Sequence, residues 1–96
     1  MPINNCELCD RERELTFHHL IPKKVHSRKS VKKMHSKEVM HNSGIFVCDD
    51  CHRAIHKFFD HITLAREYYS KELLQLSKKI ATFVSWLKKQ DKRVKL

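Results

Sequence analysis

The nine residues Cys48-Asp49-Asp50-Cys51-His52-Arg53-Ala54-Ile55-His56 constrain this chain more than any other stretch. They hold two thiols in C-x-x-C spacing and two imidazoles in H-x-x-x-H spacing. A C-x-x-C turn offers both sulfurs to one tetrahedral ion. An H-x-x-x-H pair on a helix presents both rings on one face, because residues i and i+4 are neighbours there. Each pair needs partners from elsewhere. Cys6-Glu7-Leu8-Cys9 supplies the other half of a four-thiolate site, and His18-His19 supplies imidazoles for a second site.

With 96 residues the chain is long enough for one small domain. Domains of this size bury a modest fraction of their surface and commonly need a staple such as a metal. Two disulfides are the alternative for four cysteines, and they suit a secreted chain. Met1-Pro2-Ile3-Asn4-Asn5 leads straight to Cys6 with no apolar signal segment, and a redox C-x-x-C is expected beside a βαβ pattern that is absent. The expectation is therefore a structural Zn2+ on Cys6, Cys9, Cys48 and Cys51, in a reducing compartment, the cytoplasm. Four thiolates close a tetrahedron, so such an ion ties the chain together and does no chemistry.

Charge points to the partner. Lysine plus arginine total 20 against 11 acids, a formal net charge of +9. No apolar run approaches the roughly 20 residues of a membrane span, so a polyanion partner is expected, nucleic acid before membrane. The cations concentrate at Lys23, Lys24, Arg28, Lys29, Lys32, Lys33 and Lys37, with no acid among them. From Lys23 to Lys37 the expectation is a long binding loop whose first six cations meet phosphates.

Leu15 to Ile21 reads as a strand stopped by Pro22, after an exposed linker from Asp10 to Glu14. Alternation puts Leu15, Phe17 and His19 on one face and Thr16, His18 and Leu20 on the other. Both histidines serve one site only if the chain bends near Pro22. Ser36 is placed to cap a short helix ended by Gly44, the only glycine. Ile45-Phe46-Val47 is expected to pair antiparallel with the first strand and feed a helix from about Cys51 to Phe59. Thr63, Ser70 and Ser77 are placed to cap three further helices, the last running to about Gln90. Ile80, Phe83, Val84 and Leu87 give that helix an apolar stripe, Trp86 lies at its edge, and Lys78, Lys79, Lys88, Lys89, Lys92, Arg93 and Lys95 are its basic face. This half reads as scaffold.

The imidazole set is the open site. His52, His56 and one strand histidine give three nitrogens and leave room for water and substrate. A divalent ion there (Mg2+, Mn2+, Ni2+, Co2+ or Zn2+, imidazole favouring the last four) would stabilise charge on a phosphate and its departing alkoxide. The other strand histidine is then free to take a proton from water. His26, His35, His41 and His61 read as surface residues.

Thr16-Phe17-His18-His19-Leu20-Ile21-Pro22 followed by Cys48-x-x-Cys51-His52-x-x-x-His56 resembles the HNH endonuclease family. The small bacterial members with T-x-H-H-L-I-P and C-x-x-C-H-x-x-I-H motifs are the most similar, down to Leu64-Ala65 and Trp86. The resemblance implies an α+β fold with a ββα-metal HNH core and zinc site in residues 1–60, and a helical extension in 61–96. It implies His18, His52 and His56 as ligands of the catalytic metal, His19 as general base, and hydrolysis of DNA phosphodiester bonds. A zinc-stabilised nucleic-acid-binding module without catalysis is the alternative. The family's middle asparagine falls at Ser43 by spacing. Either Asn42 takes its base-orienting role, Ser43 substitutes, or the role is vacant.

Overall fold

The computed structural model of the chain describes residues 3–90. The fold is a small α+β unit. Strands β1 (Ile3–Asn5), β2 (Glu12–His19) and β3 (Gly44–Cys48) form an antiparallel sheet with β2 in the centre. The expected pairing holds: Leu15 faces Cys48, Phe17 faces Phe46 and His19 faces Gly44. The expected linker at Asp10–Glu14 does not. Glu12, Arg13 and Glu14 are the first residues of β2, paired with Asn5, Asn4 and Ile3. Backbone pairing on an exposed edge organises this stretch, so no alternation of apolar side chains announces it.

Between β1 and β2 the chain turns through Cys6–Arg11. Cys6 N–H donates to the Arg11 carbonyl at 3.0 Å and Asp10 N–H to the Cys6 carbonyl at 2.9 Å. Asp10 takes φ 64°, a left-handed conformation that Asp tolerates better than most residues.

The basic segment is helical, not an open loop. A 3-10 turn at Lys23–Val25 precedes α1 (Lys29–Met34) and α2 (Lys37–Asn42). The cause is a second small core in which Ile21, Val25, Val31 and Met40 are buried together with Ala65, while the lysines between them stay exposed. One apolar anchor per short element is too sparse to register as periodicity. Ser36 caps α2 as expected, accepting from Val39 N–H at 3.2 Å. Gly44, however, is no helix terminator: it opens β3 at an ordinary negative φ. A Cβ there would clash with the tip of the Phe17 ring across the sheet, so any other residue would force that ring to move.

Helix α3 (Asp49–Phe58) starts two residues before its expected position, capped by Cys48. Asp49 and Asp50 sit in its first turn and Lys57 in its last, each favourable to the helix dipole. Its buried face is Cys51, Ala54 and Ile55, packed on β2 and β3. Helices α4 (His61–Glu67), α5 (Lys71–Leu76) and α6 (Lys78–Leu87) follow. Ser70 and Ser77 cap as expected, but Asp60 rather than Thr63 caps α4, accepting from Thr63 N–H at 2.8 Å. Ile80 and Leu87 of the stripe are buried, and Phe83 and Val84 pack against the same core. Lys92, Arg93 and Lys95 lie outside the described residues.

A buried ion cluster joins the two halves. Asp50, 3% exposed, receives Arg11 at 3.1 Å and Arg53 at 2.7 Å. Arg11 also donates to the Leu87 carbonyl at 3.3 Å, so one guanidinium links the β1–β2 turn, α3 and the end of α6.

Candidate metal centre

Two groups of donor side chains converge. Cys6 and Cys9 from the β1–β2 turn meet Cys48 and Cys51 at the β3–α3 junction, all buried, with their sulfurs within 4.8 Å of one another. The four form no disulfide. Cys9 Sγ and Cys48 Sγ are 3.7 Å apart, close to the ~3.8 Å edge of a tetrahedron with metal–sulfur bonds of ~2.3 Å. Backbone N–H groups of Cys9, Cys48 and Cys51 donate to Sγ atoms of Cys6 and Cys48 at 3.3–3.5 Å, which favours thiolate. Neighbouring thiols and these N–H groups pull Cys6 below the ordinary thiol range, and contacts from Cys48 and Cys51 bring Cys9 to about 7. Cys51 is pushed up by Cys48 and Cys6 beside it. Four sulfurs this close cannot all shed protons without a shared cation, so the donor set fits a structural metal ion such as zinc.

The second group is His18, His52 and His56, whose candidate ligand nitrogens also lie within 4.8 Å of one another. The ring centroids form a near-equilateral triangle with sides of 5.3, 5.4 and 5.1 Å. His52 and His56 come from one face of α3, as their spacing requires. His18 comes from the face of β2 that α3 covers, together with Thr16, as alternation requires. His18 is fully buried, and neither ring nitrogen has a hydrogen-bond partner. His35 shows the ordinary solution for a buried imidazole: its Nε2–H donates to the Ala65 carbonyl at 2.7 Å. Two unmet nitrogens on a buried ring are costly, roughly 1–3 kcal/mol each. The site therefore fits a cation that takes a nitrogen lone pair.

His52 carries a further constraint. Thr16 Oγ1 donates its one proton to the Val47 carbonyl at 3.2 Å and lies 2.8 Å from His52 Nδ1. When the hydroxyl proton goes to Val47, the 2.8 Å contact requires a proton on His52 Nδ1, donated to Thr16 Oγ1. The lone pair is then left on Nε2, the arrangement usual for a ligating histidine held by an outer partner. Thr16 went unnoticed in the sequence as a site residue, although its place two residues before His18 was a signal of a shared face.

His19 ends β2 on the opposite face, yet it lines the same cleft as His52 and His56, with Phe17, Pro22, Lys23, Lys24 and His61. The cleft is small, about 200 Å³. Phe17 packs edge-on against the His19 ring at 4.9 Å. Partial burial, Lys23 and His26 all depress the His19 pKa below the ordinary histidine range. Of the six expected phosphate contacts, Lys23 and Lys24 reach the cleft. Arg28, Lys29, Lys32 and Lys33 are exposed at the start of α1 and along it, and do not line it. Asn42 ends α2 exposed and makes no hydrogen bond to His19 among the described residues.

The remaining histidines divide. His61, expected at the surface, opens α4 5.6 Å from the His56 ring and lines the cleft. No spacing rule reaches it, because the Phe59-Asp60 bend between α3 and α4 brings it there. His35 is buried against Tyr69 and the Ala65 carbonyl, not surface-exposed as expected. His26 donates from Nε2 to the Ile21 carbonyl at 2.7 Å and is half-buried, while His41 is exposed as expected.

Burial, and then the nearby His52 and His56 rings, lower the His18 pKa from the ordinary 6.5 to about 3. Between about pH 6.5 and about 3 the unfolded chain binds a proton at residue 18 that the folded chain does not, so stability falls as pH falls through that window. Denaturation of the metal-free chain across this range should show a shallower pH slope in His18→Leu than in wild type; equal slopes contradict the assignment. Thr16→Val should weaken divalent-ion binding at the histidine site about tenfold by calorimetric titration with the cysteine site filled, while Thr16→Ser keeps it. Wild-type affinity in Thr16→Val would remove the role given to the hydroxyl.

No protein-family model matches the chain, and no solved structure matches it significantly. A curated relative does: "Uncharacterized protein YisB" of Bacillus subtilis (strain 168) is 31% identical over 91 residues, a match covering 88% of this chain and 74% of that protein. At that identity and coverage, the chain belongs to the family of Bacillus subtilis YisB.

Proposed function

We propose that the chain is a metal-dependent endonuclease of the HNH type, hydrolysing DNA phosphodiester bonds over a ββα-metal core made of β2, β3 and α3. The observation that carries this reading is the fully buried His18, with both nitrogens unmet and two helix histidines facing it. Zinc is the proposed occupant of the four-cysteine site. A divalent ion held by His18, His52 and His56 would supply charge stabilisation at the phosphate and the departing oxygen.

The chain's own residues do the rest. His19, at the cleft wall and edge-packed by Phe17, takes a proton from the attacking water onto its ring. Lys23 and Lys24 at the same cleft hold the phosphate backbone by charge. Thr16 fixes the ring of His52. Pro22, buried in the cleft wall three residues past the end of β2, leads into the 3-10 turn that brings Lys23 and Lys24 to the site.

One observation favours a second reading. Asn42 is exposed at the end of α2 and makes no hydrogen bond to His19 among the described residues, which leaves the base-orienting role to Ser43 or vacant. On that reading the chain is a zinc-stabilised nucleic-acid-binding module. Supercoiled-plasmid nicking by folded, zinc-loaded wild type and His19→Ala, with magnesium, manganese, nickel, cobalt and zinc, separates the two. Nicking in wild type that drops at least a hundredfold in His19→Ala is expected for a lost general base. No nicking with any metal, alongside salt-sensitive DNA binding, would favour the binding module. Equal nicking by both proteins would refute His19 as the base.

A further inference from the structure

Away from the histidine cleft, α3 and α6 border an open concavity of about 790 Å³ lined by Phe58, Lys78, Lys79, Thr82, Phe83 and Trp86. Its aromatic rings form a continuous series, Phe58 to Phe83 at 6.1 Å and Phe83 to Trp86 at 5.9 Å. The core does not require all of them. Ile80 and Leu87 already fill the buried stripe of α6, whereas Trp86 stays 46% exposed. An indole left half in water beside two other rings is the composition of a contact surface.

The charged residues that line it are of one sign. Lys78 and Lys79 are exposed at the start of α6, and Lys88 and Lys89 are exposed just past its end. Ten residues of helix put these pairs about 15 Å apart along the axis, one at each side of the rings. The sequence from Lys78 to Gln90 contains no acid, and none lines the concavity. Aromatic faces between cationic rims match a polyanion that also carries flat, apolar rings. Duplex DNA hides those rings in its stack, whereas a single strand offers them.

We infer that the Phe58–Phe83–Trp86 groove binds unpaired nucleobases of a single-stranded nucleic acid, with Trp86 as stacking platform and Lys78 and Lys79 meeting the flanking phosphates. The inference does not depend on cleavage, since no residue of the groove lines the histidine cleft.

Trp86 is the only tryptophan in the chain, so its emission reads the groove directly in the native, zinc-loaded protein. Titration with a thymidine dodecamer should quench that emission saturably, and a duplex of equal length should quench it far less. Trp86→Ala should weaken binding of a fluorescein-labelled dodecamer roughly tenfold to a hundredfold by anisotropy, as expected for one lost stacked base. Lys78→Glu with Lys79→Glu should weaken it while preserving the tryptophan environment of the free protein. The inference is overturned if the dodecamer binds without altering Trp86 emission, if Trp86→Ala binds as wild type, or if duplex quenches equally. It is also overturned if only an acidic peptide or rising protein concentration changes the emission, which would make the groove a protein contact. A chain that nicks plasmid while failing these tests loses the groove and keeps the nuclease; the reverse result does the opposite.

Discussion

The convergence of four sulfurs on one point is the constraint on which the remaining geometry depends. It fixes the β1–β2 turn to the β3–α3 junction across a long stretch of sequence, where a small domain gains most from a crosslink. Cys48 serves twice, as a donor and as the cap of α3, so the same residue that joins the cluster also sets where the helix begins. That start determines which residues of α3 lie against β2. Shift it by one and His52 and His56 would rotate by about 100° away from His18. The Asp50 carboxylate, held by Arg11 and Arg53, carries the restraint on to the end of α6. Removing one partner from such a buried cluster commonly costs about 3 kcal/mol or more, a large part of the stability of a domain this size.

The histidine site is the opposite kind of feature, a local cost imposed on a framework that can bear it. A fully buried ring with two unmet nitrogens weakens the metal-free fold, and occupancy would return that energy as binding. Preorganisation of this kind places donors before a ligand arrives. Consistency across levels usually fails where function is held, and His18 is the clearest such failure among the described residues. His35, also buried but bonded to a carbonyl, shows that burial alone does not produce it.

Much of this was legible in the residues. The C-x-x-C pairs and the H-x-x-x-H spacing gave both donor groups, because tetrahedral thiolate sites and helical faces impose those intervals. Alternation along Leu15–Leu20 separated His18 from His19 correctly: His18 meets His52 and His56 in the interior, while His19 lines the cleft outside those two rings. Ser36, Ser70 and Ser77 capped as their chemistry suggests. What stayed hidden depended on contacts distant in sequence. The basic segment folds into helices because Val25, Val31 and Met40 find Ile21 and Ala65, a match that no local window contains. Glu12–Glu14 become strand through pairing with Ile3–Asn5, despite side chains that favour solvent. Gly44 answers to Phe17 across the sheet, not to the helix before it. His61 enters the cleft through a bend capped by Asp60.

The central proposal is that two donor sets in one small fold would hold two ions with separate duties. Cobalt substitution tests it directly, since thiolate and imidazole sites absorb differently. The folded chain titrated with cobalt should take up two ions, one giving intense sulfur-to-metal bands and the other weaker bands that vanish in His18→Ala with the sulfur bands intact. A single ion at saturation, or a His18→Ala spectrum identical to wild type, would contradict it.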